Sequence, residues 1–247
     1  MRILFFIIMM ACCLTACSDD VTYAPVMDVA TIERVPKNGI HLVSPGESLY
    51  TIAWRYGLDY RYIARLNHLS QPYHLVVGQT LYLRGNLLRI RTKEMMPRQP
   101  MQKTPISLQP IHKMHSPILV EHESNAPVSQ WRWPARGPVT GVYSSLNKGI
   151  NIAGHLGDPV YATAAGQIVY SGSRLRGYGN LIIIKHNNTY LSAYAHNKAI
   201  LVKEGDWVNA GQKIAEMGST GSQNVMLHFE IRRSGQPTNP LKYLAHT

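Results

Sequence analysis

Fourteen of the 19 glycines in this chain lie at or beyond Gly137. Glycine adopts the positive φ that tight turns need, so dense glycine between short apolar runs marks a turn-rich β region. Such runs occupy residues 157–162, 166–171, 180–186 and 190–194. Turn signals separate them about every 8–12 residues, the spacing of an antiparallel β sandwich or open barrel. That architecture is expected over residues 131–247, opened by Trp131-Arg132-Trp133-Pro134. Residues 203–214, with their Gly205-Asp206 and Gly211-Gln212 turns, are expected to add a hairpin pair.

Residues 39–84 have a different rhythm. Ile40-His41-Leu42-Val43 predicts a short strand, and Ser48 is placed to cap a helix. Leu49, Ile52, Ala53 and Tyr56 fall at helical spacing before Gly57 ends the run. Asp59 can cap a second helix with Ile63, Ala64 and Leu66 on its inner face. Thr80-Leu81-Tyr82-Leu83 closes the unit as a strand, giving the order β-α-α-β. Residues 85–130 hold six prolines, one glycine, and six Lys/Arg against three Glu, with no persistent period. That composition predicts a stiff, basic linker.

At the N-terminus, Arg2 precedes an apolar run over residues 3–14. About a dozen apolar residues are too few to span a bilayer, which takes roughly 20. They fit the core of an export signal, 1–17. All three cysteines (Cys12, Cys13, Cys17) lie there, so the folded part holds neither a disulfide nor a thiolate metal site. Residues 18–38, aperiodic and with Pro25 and Pro36, read as an extended tether. The net charge of +11 calls for anionic surroundings. No nucleic-acid fold signature and no dense Lys/Arg stripe accompanies it, so no nucleic acid partner is expected. Anionic envelope polymers and membrane surfaces suit the charge.

Leu14-Thr15-Ala16-Cys17 resembles the bacterial lipobox. The resemblance implies lipidation of Cys17, with a diacylglycerol on the thiol and a further acyl chain such as palmitate on the amine. More than one chain makes a stable anchor. Ser18 in that family goes with sorting to the outer membrane, facing the periplasm. The stretches 43–50, Ile52-Ala53 and 77–81 resemble LysM modules. That family binds N-acetylglucosamine polymers, here peptidoglycan, in a shallow groove. Carried over, the groove comprises Gly46, Glu47, Ser48, Leu49 and Tyr50 on one side, with Tyr73, His74, Val77 and Gly78 on the other.

Asn147-Lys148-Gly149-Ile150-Asn151, Tyr194-Ala195-His196 and Met226-Leu227-His228 resemble the three motifs of LytM-type (lysostaphin-like) zinc peptidases. In that family the motifs read His-x-x-x-Asp, Tyr-x-His and His-x-His. The resemblance implies a metal cleft in which Asn147 and Asn151 replace two zinc ligands and His228 survives as the third. Of the two assisting histidines, His196 survives and Met226 replaces the other. Catalytic zinc needs three protein ligands, and neutral amides and a thioether are poor substitutes. No metal, cofactor or catalytic residue is therefore expected; rescue by His155 or His186 needs a new geometry. The segment 204–217 also resembles a lipoyl-type hairpin, but Gly218 stands where that family carries its modifiable lysine. Lipobox, LysM pattern and degenerate LytM domain together resemble the NlpD and EnvC class of amidase activators. That class binds and activates a periplasmic N-acetylmuramoyl-L-alanine amidase without cutting peptides itself. The alternatives are a zinc endopeptidase and a structural tether between outer membrane and wall.

Overall fold

The structure, a computed structural model, describes residues 32–85 and 127–245. Cys17, the export signal, the tether up to residue 31 and nearly all of the linker lie outside these residues. The described part is mixed, with a small βααβ module and a larger, mainly antiparallel β domain.

In the module, β1 (Ile40–Leu42) pairs antiparallel with β2 (Thr80–Tyr82). Between them lie α1 (Leu49–Tyr56) and α2 (Tyr60–Leu66). Ser48 caps α1 through a capping box with Thr51, and Gly57 ends the helix in the left-handed region, φ 61°. Asp59 caps α2 by accepting from the Arg61 N–H. The expected inner face, including Ile52, Ala53, Ile63 and Ala64, is buried.

The larger domain has two layers. The main sheet runs in the order β10 (Trp207–Val208), β6 (Gly166–Gly172), β7 (Leu181–Lys185), β8 (Tyr190–Ala195), β12 (Met226–Arg233), β4 (Ile150–Ala153), β3 (Val139–Gly141). A strand β13 (Gln236–Thr238) pairs with the end of β12. The smaller sheet is β5 (Pro159–Tyr161), β11 (Lys213–Glu216), β9 (Ala199–Ile200). The expected hairpin over residues 203–214 does not form. β10 joins the main sheet beside β6, and β11 joins the smaller one. The turn 209–212, closed by Gln212 N–H to the Asn209 carbonyl at 3.1 Å, carries the chain from one layer to the other. Burying Val208 and Ile214 in the shared core outweighs pairing the two strands with each other.

The two faces of the main sheet have different partners. Ile182, Ile184, Tyr194, Leu227, Phe229 and Ile231 pack against the smaller sheet. Leu181, Ile183, Leu191 and Ala193 point the other way and share a core with Leu49, Ile52, Ala53 and Trp54 of α1. Strand β7 is therefore buried on both faces, which explains its unbroken Leu-Ile-Ile-Ile run. The βααβ module is docked on the sheet, and polar ties fix it there. The Trp54 indole donates to the Tyr178 hydroxyl at 3.0 Å. The Arg232 guanidinium donates to the Trp54 carbonyl at 2.6 Å and stacks 3.7 Å from the Trp54 ring centroid. Gln236 donates to the Gly57 carbonyl.

Arg232 is only 1% exposed and Glu230, its ion-pair partner at 3.0 Å, is fully buried. Removing one member of such a pair strands the other charge, at a cost of about 3–5 kcal/mol. Urea unfolding of Arg232→Ala should show a loss of that size. A loss under about 1 kcal/mol, the scale of a solvent-exposed pair, would contradict the docked arrangement.

Candidate functional site: a cleft beside the docked module

Strand β12 sets the geometry of the cleft. Its odd-numbered side chains Leu227, Phe229 and Ile231 enter the core between the sheets. The period of two turns Met226, His228, Glu230 and Arg232 to the opposite face. This face also carries Asn151, because β4 buries Ile150 and Ile152 in the same core and pairs His228 with Asn151 across the ladder. Gly149 lets the two strands approach: a Cβ there would fall 2.0 Å from the Phe229 carbonyl oxygen. The cleft and the docked module therefore share one face of the sheet.

His228 is fully buried. Its Nδ1 lies 2.7 Å from Asn151 Oδ1, and its Nε2 lies 3.2 Å from Glu230 Oε1. Glu230 also accepts from the Tyr178 hydroxyl at 2.7 Å and from Arg232 Nε at 3.0 Å. A continuous polar chain thus runs from Asn151 through His228, Glu230 and Arg232 to Trp54 of the module. Burial works to raise the Glu230 carboxyl, but the Arg232 charge and the hydrogen bonds from His228 and Tyr178 lower it to about 2. Burial and the neighbouring Glu230 charge push the Tyr178 hydroxyl up.

The other predicted residues converge on the same place. His196 follows β8 in the left-handed region, φ 66°, and its ring lies 6.2 Å from that of His228. Its Nδ1 bonds the Thr220 carbonyl at 2.8 Å, which Gly179 holds close: a Cβ on Gly179 would lie 2.0 Å from that oxygen. Burial lowers the His196 pKa to about 4, so the ring is neutral at pH 7. With its proton on Nδ1, His196 Nε2 is an acceptor, buried and without a partner among the described residues. Asn147 closes its own loop by donating to the Val142 carbonyl at 3.1 Å, and its buried Oδ1 is likewise unpartnered among the described residues. Met226 is half-buried opposite Ala153. His155 and His186 are not at the cleft. His155 points to solvent beside Asp158, and His186 sits against Trp131 and Ser192 at the other core.

These residues do not fit a catalytic zinc. Two ligands on one tetrahedral zinc, each about 2.1 Å from the metal, sit about 3.4 Å apart. His228 and Asn151 are in direct hydrogen-bond contact at 2.7 Å instead. Asn147 and Asn151 contribute only neutral amides, and no group of three or more His, Cys, Asp or Glu that could hold a metal occurs among the described residues. The arrangement is a buried polar cluster with two acceptors that have no partner among the described residues. Its rim is apolar: Val142 and Leu146, on the loop that carries Asn147, are 63% and 61% exposed.

In the βααβ module, the predicted groove residues divide by role. Gly46, His74, Val77 and Gly78 are exposed, and Tyr50 and Tyr73 are half-buried with their rings 6.2 Å apart. Leu49 is core, and Ser48 is spent on the helix cap. The Glu47 side chain turns inward to His41 at 2.7 Å and Arg55 at 2.6 Å. Its contribution to a groove is therefore its backbone. Sequence reasoning missed Tyr178, Glu230, Arg232 and Trp54. The signal was present in β12, where His, Glu and Arg alternate with Leu, Phe and Ile.

Two acid transitions follow from these environments. Burial lowers His196 and His186 from 6.5 to about 4, so the unfolded chain takes up protons first and stability falls as pH drops from 6.5 toward 4. Glu230, lowered from 4.5 to about 2, adds a second loss as pH falls below 4.5. Glu230→Gln should keep the first loss and shrink the second, to which the lowered Glu47 and Asp59 carboxyls also contribute, read from urea midpoints at pH 7, 5 and 3. An unchanged pH profile would contradict the assignment.

The model of Peptidase family M23 matches residues 145–240, and that of the LysM domain matches residues 41–84. The chain is 41% identical to the Lipoprotein NlpD/LppB homolog of Pseudomonas aeruginosa, covering 87% of this chain and 80% of that one. It is 42% identical to the Uncharacterized lipoprotein YgeR of Escherichia coli, covering 83% and 80%. It is 38% identical to the Murein hydrolase activator NlpD of Escherichia coli, covering 83% and 67%. The chain belongs to the NlpD/LppB lipoprotein family and joins a LysM module to an M23-type, LytM-like peptidase fold.

Proposed function

We propose that this chain is an envelope lipoprotein that binds peptidoglycan through its LysM module and activates a periplasmic N-acetylmuramoyl-L-alanine amidase through the M23-type cleft. It has no peptidase activity of its own. The lipidated Cys17 anchors it in the outer membrane, facing the periplasm. The observation that carries this reading is the contact between His228 and Asn151 at 2.7 Å, in a cleft that has lost two acidic or histidine ligands. Without a bound metal no water is brought to a pKa near 7, and the neutral His196 alone has no activated nucleophile to serve. The loop beside the cleft exposes Val142 and Leu146, which suit a protein segment bringing apolar side chains. The names of the relatives, lipoproteins and a murein hydrolase activator, agree with this.

Activation is a population shift: the cleft binds the active form of the amidase more tightly than the self-inhibited form. A tenfold activation needs a differential affinity of only about 1.4 kcal/mol. On purified peptidoglycan, the full chain alone should release nothing, and with the cognate amidase it should raise release of peptide stems at least several-fold. The double variant Val142→Glu/Leu146→Glu changes two exposed side chains, so it should fold normally and lose the stimulation. Release of cross-link peptides by the chain alone, or full stimulation by the double variant, would overturn the proposal.

A further inference from the structure

The LysM groove is not bounded by the LysM module alone. Arg174, on the loop between β6 and β7 of the M23-type domain, reaches across to it. Its guanidinium donates to the Pro45 carbonyl at 2.9 Å. Its side chain lies against Gly46, where an added Cβ would meet Arg174 Cδ at 2.4 Å. Gly46 stands at φ 76° with no side chain of its own, and this opens the space the arginine occupies.

Three features make Arg174 part of a built site rather than a stray surface charge. First, its backbone is held: its N–H donates to the buried Tyr170 hydroxyl at 2.9 Å, and the next residue, Leu175, is buried in the core between the domains. Second, its charge is unanswered within the described residues, where no ion pair involves it; Glu204 on the same side turns to the Ser171 N–H at 3.3 Å. Third, it remains exposed with most of its five N–H groups unused. Pro45 and Gly46, which it touches, are exposed as well, as are His74, Val77 and Gly78 on the other predicted side of the groove.

The chemistry of the ligand follows. A neutral N-acetylated sugar offers a guanidinium hydrogen-bond acceptors but no charge to pair with. A carboxylate offers both, and the planar fork of arginine matches its two oxygens. Peptidoglycan strands carry carboxylates on alternate sugars, as lactyl acids or in the stem peptides attached to them. We propose that Arg174 adds a carboxylate-binding subsite to the LysM groove, so that the docked chain prefers acidic amino-sugar strands to neutral ones. The proposal rests on the reading of the module as glycan-binding. It makes that preference a property of the two domains together, since the cation comes from one and the groove from the other.

The test uses the full chain and three hexasaccharide probes, followed by calorimetry: neutral chitohexaose, a peptidoglycan strand stripped to its lactyl acids, and the same strand with stem peptides. The wild-type chain should bind at least one acidic strand about two- to fivefold more tightly than chitohexaose, the range of an exposed charge pair. The strand preferred identifies which carboxylate is read. Arg174→Ala should remove the preference, so that acidic and neutral strands bind alike, whereas Arg174→Lys should retain part of it. A wild-type chain that binds all three probes alike overturns the subsite alone, as does an Arg174→Ala chain that keeps the preference. A wild-type chain that binds none overturns the glycan reading and the subsite with it.

Discussion

Glu230 and Arg232 are both buried, and the rest of the molecule is arranged around keeping them satisfied. An isolated charge in a protein interior is costly, so each needs a partner and further hydrogen bonds. Glu230 has Arg232, His228 and the Tyr178 hydroxyl. Arg232 has Glu230, the Trp54 carbonyl and the Trp54 ring. One set of partners belongs to the cleft and the other to the LysM module. The pair can be fully satisfied only when the module is docked on the sheet. This couples the position of the wall-binding module to the integrity of the cleft.

Strand β12 therefore has two tasks on one face. At its start, Met226 and His228 stand where the zinc-peptidase motif that this stretch resembles carries its two histidines. At its end, Arg232 holds a second module. In the LytM-type peptidases that these motifs resemble, the histidine at the position of His228 ligates zinc. Here its two nitrogens face Asn151 and Glu230, so the imidazole has become a link in a structural chain. Polar groups tied into the scaffold in this way are held in one geometry. The same scaffold fixes the position of the LysM module through Trp54.

Much of the fold was legible because local and global signals agreed. The LysM helices carry their caps, Ser48 and Asp59, and their apolar spacing in plain view. The three motif stretches could be found because Tyr194, His196 and His228 stand at the spacing of the family they resemble, and the structure brings His196 within 6.2 Å of His228, ring to ring. The hairpin over residues 203–214 was misjudged because turn residues mark where a chain reverses and not which sheet each arm joins. Docking of the module was missed for a related reason. The Leu181–Ile184 run marked a strand, but no local pattern says what covers its second face. The buried row His228, Glu230, Arg232 reads in sequence as a solvated strand face, because burial of charge depends on partners more than a hundred residues away, at Trp54.

The central claim is that Asn147 and Asn151 have converted a metal site into a structural and binding site. Zinc titration, by competition with a chromophoric chelator, tests it most directly. The wild-type chain should not compete for zinc at micromolar concentration. The variant Asn147→His/Asn151→Asp, which with His228 restores three ligands of the right chemistry, should bind one zinc per chain. Stoichiometric, high-affinity zinc binding by the wild-type chain that is lost in His228→Ala would contradict the account.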